Sequence, residues 1–209
     1  MLHFFHHPLS PFSRKVFFLL EEAGRPFDLR TVALETRQHR TPDYLAVNPS
    51  GRVPTISDGE FNLSESNAIL RYLVRRFELH RVYPVGLQEQ ATVDMWWEFC
   101  SNHINRPMMD LAWHKLLVQK YGGKSDAAII AKAESSLARD LPVLERHLLG
   151  RHYLVGHDLT LADINLMPFA AYAKDLLKSD EFPAFQAWTR LVGSRQAWRN
   201  VLAYSGNNK

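Results

Sequence analysis

Apolar and polar positions follow two alternating patterns in the first third of the chain. Short apolar runs bounded by polar or turn residues predict four strands, over residues 2–6, 27–33, 53–57 and 60–63. Apolar residues at helical spacing predict three helices, over residues 11–23, 41–46 and 65–77. The pair Asp58-Gly59 between the last two strands is a strong β-hairpin signal. The predicted order β-α-β-α-β-β-α is that of a thioredoxin-like fold.

From residue 88 onward the strand signals stop and the apolar spacing is helical throughout. It predicts helices over residues 90–121, 125–149, 160–177, 185–192 and 195–203. The stretch 79–87, which contains Pro84, predicts a linker. We therefore expect an α/β thioredoxin-like domain over residues 1–78 and an all-α domain over residues 88–209.

Composition narrows the class of protein. The 209 residues include one cysteine, Cys100, so an intrachain disulfide is excluded. Uninterrupted apolar runs such as Val16–Leu20 are too short to span a membrane, and the first residues lack the pattern of a signal peptide. The formal net charge is +3, but basic residues alternate with acidic ones, which argues against a nucleic-acid surface. We expect a cytoplasmic protein that acts on small molecules, without a membrane or nucleic-acid partner.

Ser10 lies between the first predicted strand and the first predicted helix. A helix N-terminus presents unpaired N–H groups and the positive end of the helix dipole, so it stabilises a nearby anion. A hydroxyl there can donate a hydrogen bond to a thiolate, which needs such help at neutral pH because a free thiol has a pKa of about 8.5. The alternative is that Ser10 only caps the helix. Ser13, in the first turn, is a second candidate donor.

The segment Arg52-Val53-Pro54 follows a turn cluster and begins a predicted strand. A proline at a strand start can hold a cis peptide bond, which turns the backbone groups of the preceding residue outward. Those groups can then pair with an extended peptide ligand. A trans proline at a sheet edge is the alternative.

Two further pairs have the chemistry to bind the charged ends of a peptide. Glu65-Ser66 opens the third predicted helix, where a serine can bind a carboxylate and the glutamate can bind an ammonium group. His39-Arg40 precedes the second predicted helix and can meet another carboxylate. The alternative for each pair is an ordinary helix start with exposed charges.

An apolar second pocket is harder to define. Phe12 and the stretch 105–117, which contains Met109 and Trp113, can line a cleft that accepts varied shapes, although ordinary helix packing explains the same spacing equally well. His3, His6 and His7 are candidate metal ligands by residue type. Because His6 and His7 point to opposite faces of a strand and no carboxylate is near them in the sequence, we expect no metal site.

The order of these motifs resembles that of the cytosolic glutathione transferases over almost the full length of the chain, and most of all the phi and theta-like classes with a catalytic serine. The motifs are His-Pro-Leu-Ser at 7–10, His-Arg-Thr-Pro at 39–42, Asn-Pro-Ser-Gly-Arg-Val-Pro at 48–54, Asp-Gly at 58–59 and Glu-Ser-Asn-Ala-Ile at 65–69. In the helical half, Leu-Thr-Leu-Ala-Asp at 159–163 resembles the buried capping box of the family, in which Asp163 reaches back to Thr160.

The resemblance implies that Ser10 hydrogen-bonds the sulfur of glutathione. It implies further glutathione contacts in three pairs: His39 and Arg40 near the glycyl carboxylate, Arg52 and Val53 along the cysteinyl backbone, and Glu65 and Ser66 at the γ-glutamyl group. Two positions depart from the family pattern: Arg40 replaces the usual lysine, and Asn67 stands where many phi-class members have arginine.

The activity that the resemblance implies is attack of the glutathione thiolate on an apolar electrophile, as in detoxification. Glutathione would be a co-substrate, with no other cofactor and no metal. A homodimer is expected, for which Arg71, Arg75 and Arg76 offer polar contacts. Two alternatives stay open: other glutathione-dependent chemistry such as dehalogenation, isomerisation or peroxide reduction, and a non-catalytic scaffold that binds a protein partner.

Overall fold

A computed structural model describes residues 1–178 and 181–206, so the last residues of the predicted helical domain, 207–209, lie outside the described part. The first compact unit contains residues 1–80 together with the segment from Ser194 onward. Its elements are β1 (Leu2–His6), α1 (Pro11–Ala23), β2 (Asp28–Thr31), α2 (Pro42–Val47), β3 (Thr55–Asp58), β4 (Phe61–Ser64) and α3 (Ser66–Arg76). The order predicted from the sequence is confirmed.

The four strands form one mixed sheet in the order β2-β1-β3-β4. β1 pairs in parallel with β2 and antiparallel with β3, where Phe4 lies opposite Ile56. Both of these side chains are fully buried. The predicted strand 53–57 begins only at Thr55, because Pro54 has no N–H group to donate to the ladder.

Helix α1 has the bounds that its sequence predicts. Pro11 occupies its first turn, where the missing N–H group costs nothing, and Gly24 ends it in the left-handed conformation with a φ of 58°. Its buried face, Val16 to Leu20, packs in the core of the unit. A short 3₁₀ turn over Gln38–Arg40 leads into α2.

The last helix of the chain packs on α1. This helix, α10 (Gln196–Gly206), is the tenth α-helix in chain order. The Trp198 ring near its start contacts the Phe18 ring edge to face, with ring centroids 5.5 Å apart. Arg195 just before it donates two hydrogen bonds to the Glu22 carboxylate, at 2.7 and 2.8 Å. This segment, which the sequence assigned to the helical domain, therefore belongs by its contacts to the first compact unit.

The second compact unit, Arg81–Gly193, is helical, and its described residues contain no strand. Its α-helices are α4 (Leu87–Phe99), α5 (Arg106–Ala112), α6 (Ala127–Leu148), α7 (Leu161–Ala170), α8 (Ala173–Leu176) and α9 (Pro183–Gly193). The single helix predicted over 90–121 is wrong in one respect: π-helical segments over Cys100–Asn105 and Trp113–Leu117, and a 3₁₀ turn over Val118–Tyr121, interrupt it. Apolar spacing does not distinguish such interruptions from a regular α-helix.

The predicted capping box at the start of α7 is confirmed. The Asp163 carboxylate accepts hydrogen bonds from the backbone N–H and the hydroxyl of Thr160, both at 2.9 Å. It also accepts from the Leu154 N–H at 2.9 Å and from the Trp188 indole N–H at 2.8 Å. Asp163 is fully buried, so these four donors hold together the segments that meet at α7. Across the described residues, no helix combines the length and the apolar character that crossing a membrane requires.

Candidate functional site

A cavity of about 140 Å³ lies at the edge of the sheet in the first unit. Three segments meet there: the turn before β3, the β4–α3 junction and the first turn of α1. The lining residues are Phe12, Asn48, Ser50, Arg52, Val53, Pro54, Ser64, Glu65 and Ser66. The structure thus brings together Arg52, Val53, Glu65 and Ser66, which the sequence placed in one binding site.

The turn that carries Arg52 and Val53 is held by buried hydrogen bonds to one carbonyl. The Arg52 carbonyl oxygen accepts from the Tyr44 hydroxyl at 2.6 Å and from the Asn48 side-chain amide at 2.7 Å. The Asn48 amide also donates to the Thr55 hydroxyl oxygen at 2.9 Å. Tyr44, Asn48 and Thr55 are all buried, so the backbone just before β3 has one defined position.

The peptide bond between Val53 and Pro54 is cis, which decides between the two alternatives left open by the sequence. Val53 lies outside the strand ladder, which begins at Thr55. Within the described residues, no hydrogen bond to the backbone of Val53 is found. Its N–H and C=O groups are therefore available to pair with an extended ligand, in the manner of an added strand.

The β4–α3 junction presents the start of a helix to the same cavity. Glu65 is the capping residue of α3, its backbone φ is 67°, and its side chain makes no capping hydrogen bond. A non-glycine residue with positive φ is strained, and such residues cluster at ligand sites. Ser66, the first residue of α3, is buried apart from 8% of its surface. The uncapped N–H groups of this first turn favour an anion.

Ser10 caps α1 and is partly exposed. Its side-chain oxygen accepts a hydrogen bond from the Ser13 backbone N–H at 3.3 Å. Because this bond uses a lone pair of the oxygen, the hydroxyl proton of Ser10 can be donated elsewhere. Ser13 differs, since its side chain is fully buried and its oxygen accepts from the His7 N–H at 3.2 Å. Ser10 itself does not line the cavity, whereas Phe12 in the same helical turn does.

Polar contacts fix the loop that leads from β1 to Ser10. The Arg14 guanidinium donates to the Pro8 carbonyl at 2.8 Å, and His7 Nδ1 accepts from the Leu9 N–H at 3.3 Å. Burial lowers the pKa of His7, and the Glu35 carboxylate, 3.6 Å from His7 Nε2, partly opposes this shift. A neutral His7 suits its contact with the Leu9 N–H, which requires an unprotonated Nδ1.

His39 and Arg40 lie next to the turn that lines the cavity, although neither of them lines it. The Arg40 guanidinium is 3.5 Å from the Ser50 carbonyl oxygen. A Cβ atom at Gly51 would lie 2.8 Å from the His39 carbonyl oxygen and 2.9 Å from Arg40 Nη1. Gly51 also has a φ of 58°, so this close approach and the backbone conformation both require glycine.

The residues predicted for a second substrate fall in different compact units. Phe12 lies in the first unit and is 42% exposed. Met109 and Trp113 lie in the second unit, and Trp113 stacks on Tyr121 with ring centroids 5.5 Å apart. Their joint role stays a prediction. Among the residues that the structure describes, no group of three or more histidine, cysteine, aspartate or glutamate side chains is placed so that it could hold a metal ion.

Sequence reasoning missed two features of the site. Tyr44 and Asn48 support the Arg52 carbonyl from a short helix and its end, and nothing in their spacing marks them as binding residues. Lys15 is buried in α1 and donates a hydrogen bond to the side-chain oxygen of Asn67 in α3. The signal that was available for Lys15 was a charge directly before the apolar run Val16–Leu20 of an amphipathic helix.

The chain is similar to known proteins in both sequence and structure. Residues 9–76 match the family model described as "Glutathione S-transferase, N-terminal domain", and residues 104–195 match "Glutathione S-transferase, C-terminal domain". The chain is 34% identical to Glutathione S-transferase 3 of Zea mays, over 94% of this chain and 90% of that protein. It is 30% identical to Glutathione S-transferase F9 of Arabidopsis thaliana, over 94% of each.

Solved structures give the same similarity. Glutathione transferase F7 from Populus trichocarpa superposes with a TM-score of 0.89 and 27% identity, over 97% of this chain and 98% of that one. Glutathione transferase URE2P6 from Phanerochaete chrysosporium, in complex with oxidized glutathione, superposes with a TM-score of 0.87 and 28% identity, over 100% and 97% of the two chains.

Proposed function

Because this chain belongs to the glutathione S-transferase family, we propose that it is an enzyme that joins the thiolate of glutathione to apolar electrophiles. The observation that carries the proposal is the cavity in which the outward-facing backbone of Val53 meets Glu65 and Ser66 at the uncapped start of α3. This arrangement offers a peptide-backbone contact, an anion site and a carboxylate within one small volume.

Glutathione carries backbone and charged groups that match those of the cavity. The cysteinyl N–H and C=O pair with the backbone of Val53, as one more strand would. The α-carboxylate of the γ-glutamyl group accepts hydrogen bonds from the N–H groups and the hydroxyl at Ser66, and its α-ammonium group pairs with Glu65. Arg40, beside the Ser50 carbonyl, supplies positive charge for the glycyl carboxylate, and His39 offers a ring N–H donor.

Ser10 has the position and the free donor to hold the glutathione sulfur as a thiolate. Its hydroxyl keeps its proton and donates a hydrogen bond to the sulfur, and the N-terminus of α1 adds a favourable dipole. In a substitution the sulfur then attacks the electrophilic carbon, a C–S bond forms, and the leaving group departs with its electron pair. The protein contributes the ionised nucleophile and its placement.

The assembly and compartment follow as part of the same proposal. We expect a homodimer, in which Arg75, exposed on α3, is available for polar contacts between subunits. Arg76 is already paired with Asp58 at 3.1 Å and is a weaker candidate. Light scattering that gives a stable monomer at micromolar concentration would exclude the dimer.

The proposed compartment is the cytoplasm. The proposed contacts of the electrophile are Phe12, Met109 and Trp113.

Two measurements test the proposal. Glutathione and an S-alkyl conjugate should raise the melting temperature in a concentration-dependent way, since a ligand that binds only the native state stabilises it with occupancy. Cysteinylglycine, which lacks the γ-glutamyl group, is the control and should do so far less. Turnover of chlorodinitrobenzene with glutathione should be measurable above the uncatalysed rate. Absence of any shift at millimolar glutathione would overturn the proposal, and binding without turnover of several electrophiles would favour a scaffold.

A further inference from the structure

Lys15 is a buried cation in a helix whose neighbouring buried residues are apolar. Only 3% of its surface is exposed, and it directly precedes the buried run Val16–Leu20. Lysine is seldom buried to this degree unless its ammonium group is hydrogen-bonded or paired, because removing a charge from water is costly. An apolar residue of similar length would pack at this position without that cost.

The ammonium group of Lys15 lies close to one residue that lines the cavity and to one residue that adjoins it. Its Nζ donates a hydrogen bond to Asn67 Oδ1, and it lies 5.7 Å from the ring centroid of Phe12. Phe12 lines the cavity, and Asn67 is the second residue of α3, next to Ser66. The charge therefore lies between α1 and the first turn of α3.

The first turn of α3 is already suited to an anion. Its capping residue Glu65 leaves the first N–H groups without a side-chain acceptor, so they direct partial positive charge at the cavity. A full positive charge behind the same turn adds to this potential. Because the group is buried, solvent and salt screen its field much less than that of a surface lysine.

We infer that Lys15 is a specificity-determining residue: its buried ammonium group, held by Asn67, makes the start of α3 select ligands that carry the α-carboxylate of a γ-glutamyl group. The inference rests on the proposed function, since it concerns the same cavity. Lys15 acts without touching the ligand: its positive charge attracts the anion that Ser66 binds. Glu65, exposed on the other side of the junction, balances the α-ammonium of the same ligand.

The experiment compares two ligands that differ only in that carboxylate. Calorimetry is run with glutathione and with γ-aminobutyryl-cysteinylglycine, which keeps the amine and lacks the α-carboxylate. The proteins are wild type, Lys15→Gln, Lys15→Met and Lys15→Arg. Lys15→Gln keeps a donor for Asn67 and removes the charge, whereas Lys15→Arg keeps the charge. We expect both neutral variants to lose about tenfold in affinity for glutathione and about twofold or less for the analogue, with Lys15→Arg close to wild type.

The outcomes separate this inference from the proposed function. Wild type that does not bind glutathione would overturn the proposed function and this inference with it. Wild-type binding together with an equal loss for both ligands in Lys15→Gln would overturn the inference alone, because a purely structural role weakens both ligands alike. Should the neutral variants not fold, Asn67→Asp places a neutralising carboxylate beside Lys15. Unchanged preference for glutathione over the analogue in that variant would equally overturn the inference.

Discussion

The backbone N–H of Ser13 donates a hydrogen bond to the side-chain oxygen of Ser10 over 3.3 Å, and the Ser13 oxygen in turn accepts from the His7 N–H. The two serines near the start of α1 therefore differ in burial and not in the kind of hydrogen bond that each accepts. Ser10 is left with a hydroxyl proton to donate. The hydroxyl of Ser13 is buried and accepts from His7. This relationship supports Ser10 as the residue that holds the thiolate, and it supplies a matched control for the first prediction.

Replacement of Ser10 by alanine should lower turnover with chlorodinitrobenzene by about one to three orders of magnitude, since losing one donor to an anion costs up to about 4 kcal/mol. Glutathione affinity should fall much less, because the contacts at Val53, Glu65 and Ser66 remain. The thiolate absorbance of bound glutathione should shift to higher pH. Ser13→Ala is the control: it should lower the melting temperature by leaving the His7 N–H unpaired and leave the thiol pKa unchanged. Loss of activity in Ser13→Ala alone would assign the role to the other serine.

Replacement of Glu65 by alanine should weaken glutathione binding by at least about tenfold, since the α-ammonium of the ligand loses its partner in a partly enclosed site. Circular dichroism should show an unchanged fold. Glu60→Ala removes an equally exposed glutamate from the β3–β4 hairpin, outside the cavity, and should bind glutathione like wild type. Equal affinities for wild type and Glu65→Ala, measured by calorimetry, would contradict the proposed role.

Replacement of Asp163 by asparagine should destabilise the protein by about 3 kcal/mol or more. The variant would present an amide N–H₂ group to donors from Leu154, Thr160 and Trp188, and at least one of them would be left buried and unpaired. Urea unfolding measures the change. Asp158→Asn is the control, because Asp158 is 61% exposed and pairs with Arg81 at the surface, where such a pair contributes little. Similar midpoints for the two variants would disprove the structural role of Asp163.

The stability of the protein should fall as the pH decreases below about 6.5, and His6 should account for part of the loss. Burial in a cluster with Phe4, Phe17 and Tyr204 lowers the pKa of His6 to about 4, with a smaller contribution from His7. Between the unfolded pKa of about 6.5 and the folded value, the unfolded state binds more protons, so acid favours unfolding by up to about 1.4 kcal/mol per pH unit.

The measurement for His6 is the free energy of unfolding in urea at pH 7 and pH 5. His6→Phe keeps an aromatic ring in the cluster and removes the titrating group, so it should lose less stability between the two pH values than wild type does. Because burial also lowers the pKa of His7 and His147, the variant should retain some pH dependence. An identical pH dependence in wild type and His6→Phe would show that His6 is not responsible.

The sequence by itself determined the features whose causes are local. The bounds of α1 follow from Pro11 and Gly24, and the β3–β4 hairpin follows from Gly59, which has the positive φ that the turn requires. The turn is Gly59-Glu60, one position later than the predicted Asp58-Gly59, because Asp58 pairs with Phe61 in the ladder. The link between Thr160 and Asp163 also lies within one helical turn. In each case the residues that interact are close in the chain, so spacing and residue type were sufficient to predict the structure.

Only the tertiary structure decided the features that depend on residues far apart in the chain. The sequence offers both Ser10 and Ser13 as candidate donors, and only the fold shows that Ser13 is buried while Ser10 is partly exposed. Lys15 and Asn67 meet across 52 positions, and their contact exists only because α1 packs on α3. Burial and long-range hydrogen bonding decide where the Lys15 charge lies and which serine hydroxyl is exposed at this site. Neither burial nor a long-range hydrogen bond produces a periodic pattern in the sequence.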